Sequence, residues 1–234
     1  VRLLLLPLLA AAALACAKGG DTTPAAAAAT PTDTGRAAAR TTAGFDTALL
    51  QAADLGRIKG DSTAKLWMLE VSDFECPYCR RFHAETWGAL DAKYVRTGKM
   101  KVAYLNLPLP SHRHAWATAE AAMCASVQNK FWAMHDSIFT SQARWSALEK
   151  PDSMLRRFAV AVGVDTVAWS RCIATHATRP LIQADMDRVT AAGVQSTPTF
   201  FIGDTAIAGA YPLADFDRAI TTQLSRKAAG TPKK

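Results

Sequence analysis

Glu70-Val71-Ser72-Asp73-Phe74-Glu75-Cys76-Pro77-Tyr78-Cys79 is the stretch from which the rest of the chain can be read. An apolar, β-capable run at 65–71 leads into it and breaks at Ser72-Asp73. A helical pattern follows from 76 to about 97, with Phe82, Leu90 and Tyr94 on one face and Gly98 as its stop. Two cysteines three apart at a helix start lie on one turn, close enough to close a small disulfide ring. The first sulfur meets unpaired amide N–H groups and the positive end of the helix dipole. Both favour a thiolate at Cys76, whereas Cys79, one turn further in, is shielded. Pro77 fits the first helical position, where no amide hydrogen is lost. The spacing also suits half of a zinc site, but a second C-x-x-C or H-x-x-x-H is absent, so no metal set is assembled. An inert surface disulfide is the third reading.

Outward from this stretch, the chain alternates strand and helix around a helical middle. A short amphipathic helix is expected at 45–53 and a strand at 100–107, ended by Pro108 and Pro110. No strand-like segment lies between His114 and Gly193. Trp116, Ala119, Met123 and Val127 share one helical face, Phe131, Met134 and Ile138 another, and Met154, Leu155, Phe158 and Val162 a third. Asp152 and Asp165 read as helix N-caps, Gly163 and Gly193 as stops. Strands are expected at 199–203 and 206–208, then a last helix at 212–224. The order is β-α-β, a helical insert at about 112–193, then β-β-α: an α/β sheet interrupted by a helical subdomain. Trp116, Trp132 and Trp169 fall at core-like positions, which favours packing over ligand binding.

The ends differ from this body. Residues 3–15 form an apolar run of thirteen after Arg2, the length of a signal-peptide core and too short to span a bilayer. The run ends Ala13-Leu14-Ala15-Cys16, which resembles the lipobox of bacterial lipoproteins and implies lipidation at Cys16; a plain secretory signal is the alternative. Residues 17–44 are Ala, Thr, Pro and Gly with scattered charges, the composition of a flexible tether. Residues 227–234 form a basic tail. The expected organisation is therefore a signal segment at 1–16, the tether, a folded domain at 45–226 and the tail. At 50% hydrophobic and 20% charged residues, the chain is neither disordered throughout nor fibrous. Its formal charge is +7. Four basic and two acidic residues precede residue 45, and Arg226, Lys227, Lys233 and Lys234 add four cations at the other end. The folded body is nearly neutral, which removes the main support for nucleic-acid binding.

Far downstream stands Val194-Gln195-Ser196-Thr197-Pro198-Thr199-Phe200-Phe201-Ile202. A proline opening a strand cannot donate to the ladder and often marks a cis bond. With the strand-CPYC-helix start, this resembles the thioredoxin superfamily, and the helical insert narrows the resemblance to DsbA-like thiol:disulfide oxidoreductases. Asn106-Leu107-Pro108-Leu109 and Asn129-Lys130-Phe131-Trp132-Ala133-Met134-His135 are similar to theirs as well. The resemblance covers about 66–224. It implies a thioredoxin-like fold with an inserted helical subdomain, Cys76 as nucleophile and Cys79 as resolving thiol. It also implies Pro198 as a cis-proline facing them, with Thr197 before it. Glu70 matches the buried acid such proteins place beneath the disulfide; a carboxyl there has a raised pKa and can shuttle the resolving thiol's proton, while an exposed strand carboxylate is the alternative. Asp73 and Glu75 read as loop acids. Cys124 and Cys172 remain. In a reducing compartment they would be buried free thiols, but in an oxidising one a bridge is favoured. Some DsbA-like proteins carry such a second disulfide, so the resemblance implies a structural Cys124–Cys172 bond.

The function expected from the sequence is an exported, lipid-tethered, monomeric enzyme of the cell envelope (periplasm or outer face of the cytoplasmic membrane). It would introduce disulfides into secreted proteins, use no cofactor and be reoxidised, by family analogy, by a membrane quinone-linked partner. The same chemistry run as a reductase or isomerase is the near alternative. A tethered metal-binding lipoprotein is the alternative from another class.

Overall fold

The computed structural model describes residues 46–229; the expectations for the signal segment, Cys16, the tether and the last five residues of the tail lie outside them. The elements run α1 (Thr47–Gly56), β1 (Ile58–Lys59), β2 (Leu66–Ser72), a helical run α2 from Pro77 to Val95, and β3 (Met100–Asn106). Six helices form the middle: α3 (Ala115–Ser126), α4 (Phe131–Thr140), α5 (Gln142–Trp145), α6 (Asp152–Ala161), α7 (Thr166–Ala174) and α8 (Arg179–Ala191). They lead to β4 (Thr199–Ile202), β5 (Thr205–Ala208) and α9 (Leu213–Ala229). The expected β-α-β, helical block, β-β-α order is present.

Local features differ from the sequence reading at several points. β1 is only two residues long, too short for a hydrophobic period to reveal it. α2 is not a uniform α-helix: π turns occupy His83–Trp87 and Asp91–Val95. α9 continues to Ala229, so the first residues assigned to the basic tail are helical; Arg226 pairs with Asp204 at 2.8 Å. Of the two expected N-caps, Asp165 accepts from the amides of Val167 and Ala168, whereas Asp152 is the first residue of its helix and Pro151 precedes it. Gly163 and Gly193 stop their helices at φ values of 75° and 80°, a conformation glycine adopts without the penalty a Cβ would bring.

The sheet has the order β1-β3-β2-β4-β5, with β2 and β3 parallel and the other pairs antiparallel. Because successive side chains in a strand point to opposite faces, Leu66, Met68, Glu70 and Ser72 share one face of β2. Leu66 and Met68 pack there with Phe82, Trp87 and Leu90 of α2 and Phe216 and Ile220 of α9. Val71 lies on the opposite face with Leu105, Leu107, Val189 and Val194. Glu70 is thus turned into the α2 side of the core, in register with Tyr104 on one side and Phe200 on the other. A second core joins the helical insert to the sheet: Phe131, Met134, Ile138, Phe139, Trp145, Leu155 and Trp169 cluster with Phe74, Cys76, Cys79 and Tyr104, and Trp132 bridges this core to the one under α2.

On the far face, the buried Asp185 of α8 fixes the insert to the sheet. It receives the Arg57 guanidinium and both the amide and side-chain N–H of Asn106, the last two at 3.1 and 3.0 Å. A carboxylate this deeply buried is tolerated because each donor offsets part of its desolvation.

Candidate active site

Cys76 is the N-cap of α2, in extended backbone geometry (φ −66°, ψ 124°), and the Arg80 amide returns to its carbonyl at 3.1 Å. The turn before it is closed by the Cys76 amide donating to the Asp73 carbonyl, 3.1 Å. Gln142, the first residue of α5, donates from Nε2 to the carbonyls of Phe74 (2.7 Å) and Cys76 (2.9 Å), anchoring the loop from the insert side. Nothing in the sequence marks Gln142 for this: one glutamine in a helical block carries no periodic or motif signal.

The two thiols are unlinked, and both are buried. They differ sharply in acidity. Cys76 is pushed down to about 6, first because the Cys79 thiol donates to it, with the Thr197 side chain and the amides of Cys79 and Tyr78 adding to the effect and burial opposing it. Cys79 is pushed well above the usual thiol value, chiefly by burial and then by the hydrogen bond it donates to Cys76. As a thiol, Cys76 donates to the Thr197 carbonyl, 3.3 Å away. The Thr197–Pro198 peptide is cis.

Glu70, on the α2 face of β2, is 1% exposed, with Oε2 lacking a hydrogen-bond partner. Burial pushes its carboxyl up to about 8; the Ser72 side chain opposes that shift and the charge of Asp136 adds to it. Ser72 acts on Glu70, Cys79 and Tyr104 alike, and Tyr104 feels the charge of both Glu70 and Cys79. Ser72 Oγ and the Tyr104 hydroxyl are themselves buried and without partners. Three buried polar side chains, Glu70, Ser72 and Tyr104, thus lie on neighbouring positions of β2 and β3 inside an apolar core. β-Strand periodicity puts Ser72 on the Glu70 face, and parallel pairing puts Tyr104 beside Glu70, but only the strand register identifies the second.

Asp73 and Glu75 are loop acids, as expected, and both are tied down by hydrogen bonds. Asp73 is buried, accepting from the amides of Glu75 (2.8 Å) and Leu109 (2.9 Å) and sitting 2.7 Å from His112 Nδ1. Glu75 accepts from the His114 amide at 2.6 Å. Both join the loop before Cys76 to the one after β3, an arrangement their positions in sequence cannot reveal.

Cys124 of α3 and Cys172 of α7 are bonded (S–S 1.98 Å, Cα–Cα 5.8 Å), inside the core of the insert. Trp169, one turn before Cys172, donates to the Ala121 carbonyl at 3.0 Å and braces the same two helices.

Residues 53–222 match the family model described as Thioredoxin. Among solved structures, oxidised BdbD from Bacillus subtilis superposes with a TM-score of 0.67 at 18% identity, over 73% of this chain and 94% of that one. Alpha-DsbA1 of Wolbachia pipientis gives 0.67 at 22% identity, over 74% and 92%. Among curated proteins, the Na(+)/H(+) antiporter NhaA of Herminiimonas arsenicoxydans is 30% identical over 178 residues, 76% of this chain and 26% of the relative. The chain spans about a quarter of the length of the curated relatives it matches. The family model covers well over half of the chain and the solved structures share its fold: the chain belongs to the thioredoxin family and has the fold of its DsbA-like members.

Proposed function

We propose that this domain is a thiol:disulfide oxidoreductase of the cell envelope that transfers its Cys76–Cys79 disulfide to thiol-containing secreted proteins. The observation that carries this reading is the split between the two thiols: Cys76 down to about 6, Cys79 far above the usual value. A substrate thiolate attacks Cys76 of the oxidised pair. The Cys76–Cys79 bond breaks, and its electron pair leaves on Cys79. A thiolate is poorly tolerated there, so Cys79 takes a proton, for which the Glu70 carboxyl, still protonated at neutral pH, is the donor. The substrate's second thiolate then attacks its own sulfur in the mixed disulfide and releases Cys76 as a stabilised thiolate. The substrate is oxidised by two electrons, and the enzyme is left as the dithiol. No step calls for a cofactor.

A stabilised Cys76 thiolate favours the reduced enzyme at neutral pH and so makes its disulfide oxidising. Equilibrating the protein in graded glutathione buffers tests the direction. A Cys76–Cys79 potential near the roughly −120 mV of strong oxidants is expected; one near the roughly −270 mV of thioredoxin would make it a reductase instead. Export and a lipid at Cys16 rest on the sequence of residues 1–16, and incorporation of labelled palmitate, lost in Cys16→Ala, is the corresponding test. No helix among the described residues is long and apolar enough to cross a membrane. The antiport named for the curated relatives is not carried over, because the matched residues build the dithiol domain. Reoxidation by a membrane quinone-linked partner, and action as a monomer, complete the reading by family analogy.

A further inference from the structure

Beside the dithiol lies a second group of chemically capable side chains that the exchange reaction does not use. His83, in the first π turn of α2, and His135 and Asp136, in α4, bring three ligand-type atoms within 4.8 Å of one another. One carboxylate oxygen, Asp136 Oδ1, faces His83 Nε2 at 3.1 Å and His135 Nδ1 at 2.8 Å. Ligand atoms around a tetrahedral zinc, each roughly 2.0–2.1 Å from the metal, stand about 3.3 Å apart. The two carboxylate–imidazole distances need to open by only a few tenths of an ångström to meet this, and the two imidazole nitrogens, within 4.8 Å of one another, close the triangle.

We propose that His83, His135 and Asp136 form a binding site for a divalent transition ion of the zinc type, linking the helix that carries Cys76 to the helical insert. His83 Nε2 and His135 Nδ1 both face the Asp136 carboxylate, so each gives up or shifts its ring proton when a metal takes the place of the hydrogen bond, as metal binding to histidine requires. The rings are set by packing: His83 stacks on Phe139 (5.3 Å, 26°), and His135 meets Phe139 and Phe74 edge-on. This is an apolar shell of the kind that orients ligands and limits water around a metal. The way in is open, because the Asp136 side chain is half exposed and His83 lines a groove of about 680 Å³ shared with Pro77 and Tyr78. Lys59, the cation whose charge reaches His135, is drawn to Asp91 at 3.3 Å. Two imidazoles and one carboxylate suit zinc and its neighbours better than magnesium or calcium, and leave a fourth position for water.

The test uses the full chain without an affinity tag, with Cys16→Ala, Cys76→Ser and Cys79→Ser to remove competing thiols. Titration with zinc chloride is expected to show one equivalent bound and to raise Tm by about 5 °C or more at saturation. Cobalt(II) is expected to give visible bands without the intense near-ultraviolet absorption of a thiolate ligand. Adding His83→Ala should weaken binding about 100-fold, and Asp136→Asn at least about 10-fold. Both side chains reach solvent, so the folded state of each variant can be checked by its metal-free Tm, and either variant alone suffices. Absence of binding in the thiol-free protein, or binding indifferent to a folded His83→Ala or Asp136→Asn, overturns the proposal and leaves the triad a hydrogen-bonded brace.

Discussion

Cys76 and Cys79 sit three residues apart at the start of one helix, whereas Cys124 and Cys172 face each other across two helices and 48 residues of sequence. Burial does not distinguish them: the four are 3%, 0%, 1% and 6% exposed. The surroundings do. Around the first pair stand helix-start amides, the Thr197 carbonyl and an acid string of Glu70, Ser72 and Tyr104. The second pair lies in the apolar core that holds Ala121, Ala125, Trp169 and Ile182, with one hydroxyl, Thr178 Oγ1, 3.9 Å from Cys124 Sγ and no acid string beside it. Cysteine chemistry in this fold is set by the dipoles that surround a sulfur rather than by how deep it lies.

The sharpest way to break this comparison is to delete each pair in turn. Cys76→Ser should reduce disulfide transfer to a reduced peptide by at least about 1,000-fold while leaving Tm within a few degrees. Cys124→Ser/Cys172→Ser should do the reverse. Closing a loop of 48 residues removes chain entropy worth about 4 kcal/mol from the unfolded state. Urea unfolding of that variant should show a loss of this order, with transfer measured well below its midpoint retained. If the second variant lost activity without losing stability, the two pairs would be coupled and the contrast false.

Glu70 gives the next largest effect, and its sign is opposite to that of an ordinary surface acid. Its folded pKa is raised to about 8 against 4.5 for the free group. The folded state therefore holds the proton more tightly than the unfolded one. The stability it contributes is complete below about pH 4.5 and is lost as pH rises through the window up to about 8. Glu70→Gln keeps the shape and removes the titration. At pH 7 the reduced variant should be more stable than the parent by a margin on the order of 3 kcal/mol, and the two should converge below pH 4.5. The same substitution removes the proton source for Cys79 and should slow transfer about 10- to 100-fold at pH 7. Gain of stability with loss of rate is the combination a purely structural carboxyl would not produce.

How much of this was legible beforehand follows the range of the interactions. The strand leading to Cys76, the helix after it and the proline-led strand β4 carry local signals, hence their agreement with the sequence to within a residue or two. Glu70's depth could be argued from the strand period but not established, since an amphipathic strand can turn either face inward. Gln142, Asp73 and the His83–Asp136–His135 group escaped because each depends on contacts 36 to 68 residues away in sequence. The π turns escaped because an α-helical period and a π turn differ by one residue in a single hydrogen bond.

The smallest effect tests the field at Cys76 itself. Its acidity has the Cys79 thiol as leading cause, ahead of the helix-start amides. The pH dependence of Cys76 alkylation by iodoacetamide should therefore have its midpoint near 6 in the reduced folded protein and near the ordinary thiol value in urea. Cys79→Ala removes the donor but leaves the helix start and Thr197 in place, and should move the midpoint upward by roughly one unit without reaching the urea value. Because Cys76 is depressed in the folded state, the stability it lends the reduced form is present at high pH and is lost as pH falls through 6. A midpoint unmoved in Cys79→Ala would mean that the helix start alone sets the thiolate; one that rose fully to the urea value would mean that the partner thiol does. The intermediate result is expected because both kinds of donor converge on the one sulfur, and it would explain why a cysteine at a helix start becomes a far stronger nucleophile when a second follows one turn later.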